Sequence, residues 1–387
     1  MEKFRFHLLS LPHTSTTKEF SLCAYTTKIR RFADMMTSLG HEVFLYAGPE
    51  NEAGVTEHIV VAPEEDQLAW FGDCDWRKTF FNITWDPNDL HWKETNHRSI
   101  EEIKKRIQPR DFILIAAGVT QKEVADAFPE NLSVEPFIGY TGTFSRYRVF
   151  ESVPHQHYVY GLQHDDNGHF FDTVIPNYFD PDEFPVKLEK DDYFLFIGRL
   201  IQRKGPEIAV EVTRRIGAKL IMAGQGVAEQ TPGRIVAEDG MVYEGEHISH
   251  IGSVGPIERA ELMGGARATF VPTTYLEPFG GVSIESLMCG TPVIASDFGV
   301  FPTTIEHGVD GFRFNTLGEA VWAARNVGNL DFSNIAKRAR SRFSTDRVRW
   351  QFQAFFEQLF TLWNEGFYSD WDRGVSEYRR YEEYVDG

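Results

Sequence analysis

The sequence predicts an α/β protein of two doubly wound domains, on three observations. It opens with a strand, helix, strand pattern over residues 4–47, and the same alternation restarts at residue 193 and runs to about 343. The 387 residues also exceed the roughly 250–300 that a single core usually serves. The resulting divisions are 1–180, 181–343, and a final helix with an acidic, aromatic tail over 344–387.

Residues 4–9, FRFHLL, are apolar enough for a first strand, and they lack the basic region and small-residue cleavage site of a leader peptide. LPHTSTT (11–17) is a polar loop rich in helix-capping residue types. A helix follows to Leu39, with Phe20, Ala24, Phe32, Met35 and Met36 on one face and Gly40 as its stop. VFLYA is the second strand. Trp70, Trp76, Trp85 and Trp92 then fall close together and suit either a sugar-binding platform or core packing. Asp73-Cys74-Asp75 has an Asp-x-Asp pattern that can hold a divalent ion in enzymes of another fold, which the rest of the chain does not fit. A helix over 95–107, a buried strand over 112–116 and a helix over 120–128 complete the alternation. VIPNYFDPDEF (174–184) ends the domain, and the acidic stretch 189–192 makes the connection.

In the second domain YFLFI (193–197) is a buried strand, and Pro206 starts a helix over 206–216. The loop between them carries Arg199 and Lys204, two cations able to meet a diphosphate or simply to face solvent. After a strand over 268–272 comes LEPFGGVSIESLMCGT (276–291), a glycine loop and short helix. Val282, Ile284, Leu287 and Met288 bury one side of that helix, Gly290 stops it, and PVIAS begins the next strand. A helix N-terminus of this kind presents N–H groups and a positive dipole to an anion, and Gly280 and Gly281 permit close approach. Glu285 is expected in the first helical turn, where it either grips a ribose diol or complements the dipole. Glu277 either contacts a sugar or is a solvated loop residue. Val348, Phe352, Phe355, Phe356, Leu359, Phe360 and Trp363 make the last helix, 344–365, amphipathic, with Gly366 its stop.

IGRLIQRKG, LIMAGQG, HISHIGSVG and EPFGGVSIESLMCGTPVIASDFG, in this order, resemble the C-terminal half of the retaining GT-B glycosyltransferases of the family-4 type, also called glycosyl transferases group 1. The resemblance spans about 177–314. It implies two Rossmann-like domains facing a central cleft, with the last helix crossing back to the first domain. It also implies a donor site of Gly198, Arg199, Lys204, Phe279, Gly280, Gly281, Val282 and Glu285. Arg199 and Lys204 would hold the diphosphate, Glu285 the ribose and Glu277 the transferred sugar; Glu277, Arg199 and Lys204 are the candidate catalytic residues. Relatives place a glycine-rich loop where this chain has His13, Thr14 and Ser15, so these and Thr141 are the acceptor-side candidates, although helix capping also explains the hydroxyls. Many relatives carry a histidine near the reacting sugar; Ala116-Ala117-Gly118 and Tyr140-Thr141-Gly142 stand in the corresponding regions, and no role is assigned to His155, His157 or His164.

The implied reaction moves a sugar, with retention, from a nucleotide-diphosphate-sugar (a UDP-sugar is one candidate) to a saccharide, small-molecule or protein acceptor. It needs neither metal nor cofactor. A same-fold epimerase, a phosphorylase-like enzyme or a catalytically weak nucleotide-sugar-binding scaffold are the alternatives. The net charge of −18 argues against nucleic acid, since only scattered basic clusters such as 104–106 and 337–342 occur, and the latter reads as a solvated face. No run approaches the roughly 20 apolar residues of a membrane span. Three widely spaced cysteines, Cys23, Cys74 and Cys289, fit reduced thiols, and the chain reads as a soluble cytoplasmic protein of open oligomeric state.

Overall fold

The computed structural model describes residues 2–20, 23–73, 83–167, 169 and 171–363. Cys74, Asp75, Trp76 and the tail beyond 363 lie outside them.

The first domain contains β1 (Arg5–Leu9), α1 (Ala24–Ser38), β2 (Glu42–Ala47), β3 (Glu57–Val60), α2 (Glu64–Phe71), α3 (Leu90–Lys104), β4 (Phe112–Leu114), α4 (Lys122–Asp126), β5 (Leu132–Ile138), β6 (Tyr147–Phe150), α5 (Val153–Gln163) and β7 (Asp172–Val174). Its seven strands form a parallel sheet in the order β3-β2-β1-β4-β5-β6-β7. The strands are nearly continuous apolar runs because helices cover both faces. α1 begins later than expected: Phe20 precedes it, and its N-cap residue, Cys23, makes no side-chain cap. The 11–17 hydroxyls therefore do not cap it; the Thr14 hydroxyl instead accepts from that of Thr26 at 2.9 Å, inside the core. The tryptophans divide: Trp92 is fully buried, whereas Trp85 is exposed.

The second domain contains β8 (Phe194–Ile197), α6 (Pro206–Ile216), β9 (Leu220–Ala223), β10 (Val227–Thr231), β11 (Arg234–Ala237), β12 (Val242–Glu244), β13 (Ile248–His250), α7 (Pro256–Gly265), β14 (Thr269–Val271), α8 (Gly281–Met288), β15 (Val293–Ser296), α9 (Phe301–Thr304), β16 (Gly311–Phe314), α10 (Leu317–Asn326) and α11 (Phe332–Phe343). Its parallel sheet runs β13-β9-β8-β14-β15-β16. Strict strand–helix alternation fails once: between β9 and β13 the chain forms an antiparallel β10-β11-β12 sheet rather than a helix. The 337–342 cluster is not a solvated face either. Arg338 pairs with Glu306 and Asp310, Arg340 donates to the Phe184 carbonyl and Arg342 to that of Thr304.

Ser344 caps α12 (Thr345–Phe360) by accepting from the Arg347 amide. This helix returns to the first domain, where Val348, Phe352, Phe355, Phe356 and Leu359 share a core with Phe4, Phe6, Phe32 and Phe112. The outgoing and returning chains lie side by side: the Phe179 amide donates to the Phe343 carbonyl and the Thr345 amide to that of Phe179, each at 2.9 Å.

Candidate functional site

The two domains enclose a cleft of about 930 Å³ at the C-terminal ends of their strands, where doubly wound sheets bind ligands. Gly198, Arg199, Lys204, Glu277, Phe279, Gly280, Gly281, Val282 and Glu285 all line it.

Local backbone chemistry places the cations. Gly205 takes φ +70°, and a Cβ there would lie 2.2 Å from the Pro272 carbonyl oxygen, so only glycine lets the 198–205 loop pack on the strand end beyond β14. Pro206 then starts α6. Lys204, held by this turn, forms an ion pair with Glu277, and its Nζ donates to the Tyr275 hydroxyl at 3.0 Å. Burial alone would lower the Lys204 pKa, but Glu277 and Tyr275 outweigh it and the net movement is upward. Arg199, half-buried, moves the other way: burial and Arg203 lower its pKa against the opposing pull of Tyr275 and Glu277. Glu277 also accepts from the Thr273 hydroxyl at 3.3 Å, so it is a fixed carboxylate rather than a solvated one.

Gly280, with φ +74°, is the N-cap of α8. A Cβ on it would approach the Phe301 ring to 2.8 Å, so packing demands this glycine, whereas one on Gly281 would meet only Phe179, at 3.8 Å, and leaves ligand space. The ring of Phe279 is buried in the second core, stacked on Phe179 and edge-on to Phe343, so only its backbone is available to a donor. Glu285 is the fifth residue of α8, not part of its first turn. Its charge is met instead by Arg259 of α7, whose Nη2 pairs with Oε2. Nothing in GPIERAELM separates Arg259 from an ordinary helix-surface arginine, and only the packing of α7 against α8 brings it to the cleft.

On the opposite wall, of the acceptor-side candidates only His13 lines the cleft. It is buried, and that burial, with His91 nearby, lowers its pKa to about 3, so it stays neutral. Thr14 is fully buried, and neither Ser15 nor the exposed Thr141 is among the lining residues. His155 serves the 139–145 loop, its Nε2 lying 3.1 Å from the Tyr140 carbonyl oxygen. Among the lining residues of this wall that sequence reasoning missed are Tyr25, Lys28, Glu151 and Asn177.

Residues 180–321 match the family model described as glycosyl transferases group 1. The uncharacterized glycosyltransferase MJ1607 of Methanocaldococcus jannaschii is 30% identical over 157 residues, 36% of this chain and 39% of that protein. A phosphatidyl-myo-inositol mannosyltransferase of Mycobacterium tuberculosis is 30% identical over 152 residues, 35% of this chain and 38% of that protein. The match thus spans well under half of either relative. Among solved structures, Anabaena HepE in complex with UDP and glucose superposes with a TM-score of 0.62 at 15% identity, over 92% of this chain and all of that one. Residues 180–321 are thus similar to the glycosyl transferases group 1 family, and the chain has a GT-B architecture.

Proposed function

We propose that the protein transfers a sugar, with retention of configuration, from a nucleotide-diphosphate-sugar bound by the second domain to an acceptor hydroxyl presented by the first. The observation that carries this is the convergence of Arg199, Lys204, Glu277, the Gly281 end of α8 and Glu285 on one wall of a single interdomain cleft. The cations and the helix N-terminus supply positive potential for a diphosphate, and Glu285 supplies a carboxylate for a ribose diol. UDP is the favoured nucleotide, because HepE, of the same fold, holds UDP.

The reaction is a front-face displacement. The bond from the anomeric carbon to the phosphate oxygen breaks with its electrons leaving on the nucleoside diphosphate, and the acceptor oxygen bonds to the same face. The acceptor's proton passes to the departing phosphate oxygen. Lys204, kept charged by Glu277 and Tyr275, and Arg199 stabilise the leaving diphosphate before reaction begins, which is electrostatic preorganisation. These two cations take the part a divalent metal plays in other glycosyltransferases.

A thermal-shift panel of UDP-, GDP-, ADP- and dTDP-sugars tests the donor assignment. A donor at about 100 times its Kd adds roughly 2.7 kcal/mol to the native state. The expected result is stabilisation by UDP-sugars in wild type and its loss in Glu285→Ala. Lys204→Ala should lower kcat/KM on the order of 10²-fold or more. An unchanged kcat/KM in that variant overturns the mechanism, donor binding without transfer makes the nucleotide-sugar-binding scaffold the better reading, and stabilisation by none of the donors removes the donor assignment.

A further inference from the structure

We propose that Glu151, braced by Lys28 and Asn177, receives the acceptor, and that the acceptor offers it a neutral hydroxyl of a saccharide or other polyol. The assignment rests on the donor reading above. Glu151 directly follows β6, at the C-terminal edge of the first sheet, and it lines the cleft although it is only 5% exposed. Lys28 Nζ pairs with Oε1, and Asn177 Nδ2 donates to Oε2 at 2.9 Å. Each carboxylate oxygen keeps a second lone-pair direction for a substrate hydroxyl.

The position of Glu151 relative to the donor wall follows from one hydrogen bond. Ser152 Oγ, which accepts from the His155 amide as the cap of α5, donates to the Pro278 carbonyl at 2.5 Å. Glu151 precedes Ser152 and Glu277 precedes Pro278, so the two carboxylates stand one residue from the same interdomain contact, one on each wall. Tyr25 also lines the cleft, and its ring lies 4.0 Å beneath Lys28 Nζ.

Charge pairing selects the class of acceptor. The buried cations of this wall already have carboxylate partners, Lys28 in Glu151 and both Arg30 and Arg31 in Glu183. Exposed Lys18 also lines the cleft, but Lys28, the cation in contact with Glu151, is already paired, and a buried glutamate repels a phosphate. A carboxylate, an amide and an aromatic face together suit a polyol. Glu151 accepts a hydrogen bond from a hydroxyl neighbouring the reacting one and so positions the acceptor, which leaves the reacting hydroxyl's own proton free to pass to the departing phosphate oxygen. The proton still leaves with the diphosphate, and the carboxylate is unchanged at the end.

The test uses the full chain as wild type, Glu151→Gln and Gly139→Ala. The second variant keeps every charge: its Cβ would fall 2.7 Å from Glu151 Oε1 and displace the carboxylate. With the donor found by thermal shift, each protein receives glucose, mannose, galactose, myo-inositol and glycerol, and in parallel glycerol 3-phosphate, and products are read by mass spectrometry. Wild type should glycosylate a neutral polyol. The variants should lose transfer roughly 10- to 100-fold, with a raised acceptor KM and an unaltered donor-induced shift, a split that a merely structural ion pair would not produce. Equal transfer in either variant that folds overturns the role of Glu151. A wild type that binds donor but uses only glycerol 3-phosphate, or nothing, overturns the neutral-hydroxyl class. A wild type with no donor shift sinks the donor reading first, and this assignment with it.

Discussion

A carboxylate taken out of water needs something to answer its charge, and the buried and half-buried glutamates here are answered in different ways. Glu277 has Lys204, Glu285 has Arg259, and Glu151 has Lys28 with Asn177. Glu135, at 0% exposure, has the Tyr140 hydroxyl at 2.9 Å and the Phe144 and Ser145 amides at 3.0 and 2.7 Å, with Arg148 a weaker influence. Burial outweighs them and pushes its pKa from 4.5 to about 7. The folded state therefore binds this proton more tightly than the unfolded chain does. The stability from this group is fully present below about pH 4.5 and is lost as pH rises through 7. In urea denaturation the margin of wild type over Glu135→Gln should narrow between pH 5 and pH 8; a constant or widening margin contradicts the account. At this scale the sequence announced charge types but not partners. Lys204 and Glu277 were each readable as charges in a glycine-rich loop, yet their pairing depends on two loops 73 residues apart meeting.

Among the elements, α12 joins the end of the chain to its beginning. Phe356 is fully buried, with ring contacts to Phe4, Phe6, Phe32 and Phe112. Truncating such a ring leaves a cavity that its neighbours fill only in part, so Phe356→Ala should lower unfolding stability by about 3–5 kcal/mol, measured by urea titration. A loss under 1 kcal/mol would show that α12 is not integral to the first core. Element by element, legibility followed punctuation. α6 runs from Pro206 to Ile216 as expected because proline opens it and Gly217 closes it. α8 is bracketed by Gly280 and Gly290. α3 starts at Leu90, five residues before the expected position: Asp89 stands at the N-cap without capping, its carboxylate accepting from the Thr84 hydroxyl, and no strong apolar pattern follows it. The β10-β11-β12 sheet has turn signals in Pro232-Gly233 and Asp239-Gly240, which the general expectation of strand–helix alternation leaves unused.

Over the whole molecule, the first domain is discontinuous in sequence: the second is inserted between Phe179 and Ser344, where the two crossings pair. A chain ending at Phe343 should lack the α12 half of the first core and leave Phe4, Phe6, Phe32 and Phe112 without their cover. Its near-UV circular dichroism and urea profile should then show one cooperative transition, that of the second domain, with increased binding of a hydrophobic dye. A truncated chain that keeps both transitions contradicts this. The same discontinuity sets an order of events on the ribosome. Although its strands emerge first, the first domain cannot close its core until the last helix has left the exit tunnel. At roughly 5–20 residues per second the aromatic face of its sheet waits many seconds while the inserted domain is synthesised. A chaperone that holds nascent chains would find its substrate in that interval, on residues that are fully buried once translation ends.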